Sequence, residues 1–566
     1  MPAPLAPAPH RLYYLHNFQH ALHWLVQRYA DLLDAPAQEF LQHWEGFPAP
    51  SQALLVRMVM RRGPWFRQSK LQYDEIGDTL QAAAPLQALG WIDAQAPMPL
   101  EALFDLHTRP ELQSMLGKPP AHASRKADWL AHVALTARAS QTYAQWHPQS
   151  TECAWLLSEH IRTLCTRLRL MFFGNLRQDW SEFVLADLGI FRYESVPLDA
   201  SARAFRSQAD IDTYLAMQQC RDALYDRDDI GSEDIANALQ QLHACRSPNP
   251  WLERRRAKLL MQLGQVCEKA QDWAQAQTVY AQCHYPGARQ RHIRMLERQG
   301  AYAQAMTLAQ VALQAPESEE EQQKLQRMLP RLQRHALITN KLRRTRAETA
   351  AVERLDVRLV PSTDNPRVEY ALRAHWDTPD APVFYVENTL MTALFGLLCW
   401  PAVFAPLQGA FFHPFQSAPA DFAAPDFYAR RAPLFAQCLA QLDDRSYRAT
   451  IRQRFIDKHG LQNPLVIWPA LNAQVLELAL ECIPAAHLRC LFERLQTDPK
   501  NHRTGWPDLI RFWPAQQRYA MVEVKAPGDK LQDNQVRWLA YFAQHGIPAQ
   551  VCHVTWEQPA MEPACA

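Results

Sequence analysis

Two short apolar runs near the C-terminus, punctuated by acids and one lysine in a fixed order, constrain this chain more than any other feature. The first reads Gly505-Trp506-Pro507-Asp508-Leu509-Ile510, the second Tyr519-Ala520-Met521-Val522-Glu523-Val524-Lys525. In a strand, alternate side chains share a face, so Glu523 and Lys525 point one way while Val522 and Val524 point the other. Pairing the runs as a hairpin brings Asp508 to the edge that Glu523 and Lys525 occupy. Glu-x-Lys alone is common and usually marks a solvated strand face with a weak ion pair. The Pro-Asp pair, the second run and the order of the three raise its meaning.

Two acids beside an ammonium suit one chemistry. A phosphodiester is anionic and repels hydroxide. Mg²⁺ or Mn²⁺ relieves this by neutralising charge and lowering the pKa of a bound water. Such ions prefer carboxylate oxygens and keep several waters. Asp508 and Glu523 would supply the oxygens, for one or two ions. Lys525 would orient the attacking water or offset charge on phosphorus in the transition state. A metal-dependent nuclease is therefore expected.

The rest of the chain is too long for one core. At 566 residues it should form three or four domains, and with scarce glycine and plentiful Ala, Leu, Gln and Arg these should be mainly helical. Its 59 basic and 58 acidic residues nearly cancel, so any nucleic-acid footprint must be local. The 12 cysteines include no Cys-x-x-Cys pair, which argues against a zinc ribbon or a disulfide scaffold. Met1 to His10 lacks the form of a secretory signal. The apolar stretch Leu390 to Leu407 is broken by Pro401 and Pro406 and is short for a membrane span. A soluble cytoplasmic protein with no membrane partner is expected.

The divisions expected are 1–100, 101–136, 137–360 and 361–566. In the first, a helical module, the block Ala53 to Lys70 holds Arg57, Arg61, Arg62, Arg67 and Lys70 with no acid. Arg57 and Arg61 are four apart and should share a helix face, with Arg62 alongside. Arg57, Arg61, Arg62 and Lys70 are the candidate phosphate contacts of this module; a solvated helix edge is the alternative. The second division reads as two short helices with a basic link at Ser124-Arg125-Lys126. In the third, Leu263, Gly264, Cys267, Ala276, Tyr280 and Cys283 match the small and large positions of a tetratricopeptide (TPR) unit, and Ala305, Ala309, Ala312 and Pro316 mark a second. Their concave face could hold a peptide partner or brace an enzyme. The cluster Lys341, Arg343, Arg344 and Arg346 could touch a DNA backbone, or be a solvated helix. In the fourth, a helix beginning near Leu390 precedes strands at Asp508–Phe512 and Tyr519–Val524, a helix over Lys530–Gln544 and a strand at Gln550–Val554. This is the order of restriction-endonuclease-like cores.

Gly505-Trp506-Pro507-Asp508-Leu509, Val522-Glu523-Val524-Lys525-Ala526-Pro527-Gly528-Asp529 and Gln550-Val551-Cys552-His553-Val554 resemble the virus-type replication–repair nuclease (VRR-NUC) domain of the PD-(D/E)xK superfamily. With the helix Asn388 to Trp400, the module Leu12 to Glu75, the helical pair near Leu112 and the repeats, nearly the whole chain resembles the Fanconi-associated nuclease family in a bacterial form. The resemblance implies winged-helix-like and SAP-like DNA-binding modules ahead of TPR-like repeats and an α/β nuclease domain. It implies Asp508 and Glu523 as metal ligands, the Val524 carbonyl as a further ligand, Lys525 as the catalytic lysine and Glu387 as an extra acid at the metal. Gln535 matches a polar position of such nucleases. Arg503 could grip a terminal phosphate, or be an ordinary loop arginine. The implied activity is incision of branched, 5′-flap double-stranded DNA near the junction, with 5′-to-3′ exonuclease action and a tie to interstrand crosslink repair, by a monomer. The rivals are a four-way-junction resolvase and a repeat scaffold with a relic nuclease domain.

Overall fold

The computed structural model describes residues 11–120, 123–135, 140–180, 191–225, 230–335, 352–360 and 367–557. It divides into two compact units, one of residues 1–192 with 198–211, the other of residues 193–197 with 212–566. The cluster Lys341, Arg343, Arg344 and Arg346 lies outside the described residues.

The first unit opens with α1 (Tyr13–Tyr29), α2 (Ala35–Gly46) and α3 (Ala49–Val59). Helix α1 buries Tyr14, Phe18, Leu22, Leu25 and Tyr29 in one stripe, the spacing of an amphipathic helix. Asp34 caps α2 by accepting from the Ala37 N–H at 3.0 Å. The short strands β1 (Trp65–Arg67), β2 (Ile92–Asp93) and β3 (Ala154–Leu157) form an antiparallel sheet with β3 in the middle. The expected helix face through Arg57, Arg61 and Arg62 is not there. Helix α3 stops at Val59, Arg61 and Arg62 lie in the bend beyond it, and Trp65 and Phe66 are buried in β1. Gly63-Pro64 is the cause, since a residue before proline disfavours helical backbone. Three helices, Leu100–Leu106, Arg109–Leu116 and Lys126–Ala134, then pack around Leu103, Phe104, Leu112 and Trp129.

In the second unit, antiparallel helices Pro250–Lys269, Trp273–Ala281, Ala288–Arg298, Tyr302–Gln314 and Glu319–His335 stack in order. The small and large repeat positions meet as expected. A Cβ on Gly264 would stand 2.4 Å from the Tyr280 ring, so only glycine lets that tyrosine lie flat on the helix. Ala305, Ala309 and Ala312 are all fully buried.

The same unit holds a five-stranded mixed sheet. Its strands are β4 (Glu353–Leu359), β5 (Val383–Tyr385), β6 (Leu509–Trp513), β7 (Arg518–Lys525) and β8 (Ala549–Trp556), in the spatial order β4-β8-β7-β6-β5. Strands β6 and β7 form the expected antiparallel hairpin, Leu509 opposite Val522. Strand β8 runs parallel to β7 and to β4, with His553 beside Lys525. The helix Asp533–Gln544 supplies the crossover between β7 and β8, as a parallel pair requires. Leu359, Leu509, Val522, Val524, Cys552 and Val554 form the core on one face. Strand β4 begins before residue 361 and was not expected, although Leu355, Val357 and Leu359 alternate with Arg354, Asp356 and Arg358 in the manner of a strand.

Candidate metal-dependent nuclease site

Asp508 is held at the mouth of β6 from both sides. Its carbonyl accepts the Val386 N–H at 2.8 Å, and its Oδ2 accepts the Val524 N–H at 2.8 Å. Glu523 and Lys525 share a face of β7, as the alternation demands, and Lys525 Nζ meets Glu523 Oε1 at 2.8 Å. Asp508, Glu523 and Lys525 are 7%, 1% and 7% exposed, so this is no solvated strand face.

Gln535, in the first turn of the helix Asp533–Gln544, joins the two functional groups of β7. Its Nε2 donates to Glu523 Oε1 at 2.6 Å, and its Oε1 accepts from Lys525 Nζ at 3.1 Å. Glu387 sits in the turn between β5 and the helix Leu390–Leu398, where Tyr385 Oη donates to one carboxylate oxygen and Asn388 Nδ2 to the other at 3.1 Å. Asn388 also accepts the Trp506 N–H at 3.2 Å, so one amide ties the Glu387 turn to the Pro-Asp loop. Its φ of 54° lies in the left-handed region that asparagine tolerates better than most residues. Sequence reasoning missed Asn388 and Tyr385; the only local signal was an asparagine between an acid and a helix start.

Burial pushes the Asp508 carboxyl above its ordinary value, and the charges of Glu387 and Glu369 push it further against the pull of the Val524 N–H and Lys525. Burial raises Glu523 as well, and Asp508 adds to the rise. One ammonium does not satisfy this much buried acid. Among the described residues no group of three or more His, Cys, Asp or Glu side chains makes a metal cage by itself. An open pair of oxygen donors nonetheless fits Mg²⁺ or Mn²⁺, which take one or two carboxylates and keep waters. It does not fit a softer ion that wants nitrogen or sulfur.

The remaining predicted residues are elsewhere. Arg503 is exposed in the loop before Asp508, its guanidinium 6.0 Å from the Phe422 ring. In the first unit, Arg57 pairs with Glu75 at 2.8 Å and lies 3.7 Å over the Tyr14 ring. Arg61 donates to the Lys70 carbonyl at 2.7 Å. Arg61, Arg62 and Lys70 are exposed at the end of that module.

Three domain families match the chain in series: an HTH domain of the FAN1 type over residues 12–93, a Fanconi anemia-associated nuclease SAP domain over residues 97–146, and the VRR-NUC domain over residues 442–556. Asp508, Glu523, Lys525 and Gln535 fall within the last, and Glu387 lies before it. A Fanconi-associated nuclease 1 homolog of Pseudomonas aeruginosa is 50% identical, covering 98% of this chain and 97% of that one. An Arabidopsis thaliana homolog is 24% identical over 95% of this chain, which spans 66% of its length. A crystal structure of paFAN1 bound to DNA with a two-nucleotide 5′ flap and a gap superposes with a TM-score of 0.88 at 49% identity, covering 98% of this chain and all of that one. Half its residues being identical along nearly the full length of both chains, the chain belongs to the Fanconi-associated nuclease 1 family, structure-specific DNA nucleases with a VRR-NUC domain.

Proposed function

We propose that this protein incises branched double-stranded DNA at a 5′ flap, close to the junction, and degrades DNA in the 5′-to-3′ direction during interstrand crosslink repair. The observation that carries the reading is the buried constellation of Asp508, Glu523 and Lys525, joined by Gln535. Its support beyond the site is the similarity to paFAN1, which has been crystallised with 5′-flap DNA.

In this reading Asp508 and Glu523 hold one or two Mg²⁺ or Mn²⁺ ions, with the Val524 carbonyl as a further ligand and Glu387 as the additional acid. When bound, the cation supplies charge neutralisation at the phosphate and a more acidic water. Lys525 is held within reach of the same carboxylate, where its charge opposes the negative charge that builds on the phosphoryl oxygens. Gln535 keeps the ammonium and the Glu523 carboxylate in register, so neither needs to reorganise during reaction. Arg503 steadies a phosphate beside the scissile bond. Arg61, Arg62 and Lys70, which are exposed, mark the duplex-contacting surface of the first module, whereas Arg57 is engaged by Glu75 and the Tyr14 ring and braces that module from within.

The repeats tie directly into the nuclease helix. Arg327, on the last repeat helix, makes a two-pronged ion pair with Asp533 at 2.6 and 2.7 Å, and Arg537 donates to Gln323 at 2.6 Å. That helix carries Gln535 between those contacts, so the repeats brace the site; a peptide partner on their concave face is a further role. Among the described residues no helix is long and apolar enough to cross a membrane. We infer, as part of the same reading, that the enzyme acts in the cytoplasm as a monomer.

The deciding experiment is cleavage of a labelled 5′-flap duplex with Mg²⁺, with Mn²⁺ and with chelator, by wild type and by Asp508→Ala. Metal-dependent incision near the junction that the mutant lacks is the expected result. Flap binding by wild type without cleavage in either metal would overturn it.

A further inference from the structure

The helix Tyr447–Asp457 carries a row of residues that the nuclease site does not use. Arg448, Arg452, Phe455 and His459 follow at steps of four, three and four, which places them along one helical face and onto the turn after it. Trp468, from the next segment, closes on the end of the row. Its ring centroid lies 5.0 Å from His459 and 6.1 Å from Phe455, and those two lie 5.9 Å apart. The indole N–H donates to the Leu461 carbonyl at 2.7 Å, which fixes the plane of the ring. Phe455 and Trp468 are half-buried, and the neighbouring Ile467 is 53% exposed. An aromatic group ordered at the surface and continued by arginines has a composition unlike a protein core.

Its position is also defined. Arg454, next to Phe455, donates to the Leu397 carbonyl at 2.8 Å and so caps the C-terminal end of the helix Leu390–Leu398. Glu387 stands just before the N-terminal end of that helix. Nine residues at ~1.5 Å each span roughly 13 Å. The helix that carries the aromatic row therefore meets the C-terminal end of this short helix, and Glu387 stands at the other end.

Resting on the flap-nuclease reading, we infer that this row is a stacking platform for the displaced single strand of the flap. Every base presents a π-face to Phe455, His459 and Trp468, and the strand's phosphates run toward Arg448 and Arg452. Arg452 is paired with Glu477 at 2.6 Å, but both side chains are about half exposed, so a phosphate can compete for the guanidinium. The arginines favour a polyanion over a second protein surface, which would gain from the apolar groups alone. A flap of one or two nucleotides is too short to reach the row, whereas a longer one can lie across it.

The test compares 5′-flap duplexes with flaps of one and about 15 nucleotides, bound in chelator and cut in Mn²⁺. Wild type, the pair Phe455→Ala with Trp468→Ala, and Arg448→Glu, which leaves the packed rings in place, are used as full-length proteins. Wild type should bind the long flap roughly tenfold tighter than the short one, and both variants should lose that gain while binding and cutting the short flap normally. Trp468→Phe should restore much of it. Equal wild-type affinity for both flaps overturns the platform, as does a preference that survives in both variants. A variant that changes only the state of self-association overturns it in favour of a protein contact. Failure of wild type to cut even the short flap would instead count against the nuclease reading itself.

Discussion

Val524 donates its backbone N–H to Asp508 Oδ2 at 2.8 Å, so the strand that carries Glu523 and Lys525 also fixes the acid of the neighbouring strand. An asparagine at 508 keeps an acceptor for that N–H while giving up the charge a cation needs. Asp508→Asn should therefore fold as wild type does and bind flap DNA in chelator within about twofold, yet lose at least about 100-fold in kcat. Single-turnover cleavage with fluorescence anisotropy separates the two effects; equal loss of binding and cleavage would show that Asp508 holds the structure and not the reaction.

Gln535 contacts both Glu523 and Lys525 without carrying charge, which makes it a positioning residue. Gln535→Leu preserves the bulk and removes both of these hydrogen bonds, together with the one that Gln535 Oε1 accepts from the Gln532 N–H at 2.8 Å. The expected outcome is a roughly tenfold or greater fall in kcat with KM little changed, and partial recovery in Gln535→Asn only if the shorter amide can still reach. A change confined to KM would place Gln535 in DNA binding instead.

The acids make a prediction about protons. Asp508 is pushed up to about 6 and Glu523 to about 8, chiefly by burial, and the two titrate as a pair. In that interval the metal-free folded protein holds more protons than the unfolded chain. Its stability should therefore fall as pH rises through the window, because the slope of unfolding free energy follows protons bound unfolded minus folded. Cation binding reverses the sign by favouring the ionised acids. Calorimetry of Mn²⁺ binding near pH 6.5, in buffers of different ionisation enthalpy, should detect about one proton released per ion, vanishing by about pH 9. No release at the lower pH would mean the ion binds elsewhere.

Gly505 shows how closely the Pro-Asp loop approaches the nuclease helix. Its φ is +88°, and a Cβ there would lie 2.9 Å from the Asn534 carbonyl carbon. Gly505→Ala should cost about 2 kcal/mol or more and reduce cleavage, since Trp506 and Asp508 follow directly. Gly528 has the same φ of +88° with nothing within 4 Å, so Gly528→Ala should cost only the backbone part, about 1 kcal/mol. Chemical denaturation of both variants checks the difference; equal losses would show that the contact with Asn534 is immaterial.

The β6–β7 hairpin was legible because one face packs the apolar core and the other gathers the acid and the lysine, which leaves period-two alternation in the sequence although both faces are buried. Gly264 and Tyr280 were legible for a similar reason, a size pattern imposed by helix contact. Asn388 was not, because its role depends on Trp506, more than a hundred residues later in the chain. Strand β4 was masked by its helix-forming surroundings, although its alternation was present. Arg61 and Arg62 were misplaced by extending a helix through Gly63-Pro64. The roles proposed for Asp508, Glu523 and Lys525 rest on resemblance and spacing together; their burial and the bridge through Gln535 came only from the fold.

That misplaced helix separates two kinds of arginine. Arg57 is three-quarters buried, paired with Glu75 and packed 3.7 and 4.3 Å from the Tyr14 and Tyr73 rings. Arg57→Ala would leave the Glu75 carboxylate, itself only 12% exposed, without its partner. The expected cost is about 1–3 kcal/mol of stability. Arg62, in the exposed bend, should tolerate Arg62→Ala within about 0.5 kcal/mol while losing one phosphate contact. Its signature would be weaker binding of every duplex alike and a salt dependence shallower by about one. Melting curves and salt titrations of both variants decide the matter: if Arg62→Ala leaves the salt slope unchanged, the bend is only solvated surface, and the duplex is held by other basic residues.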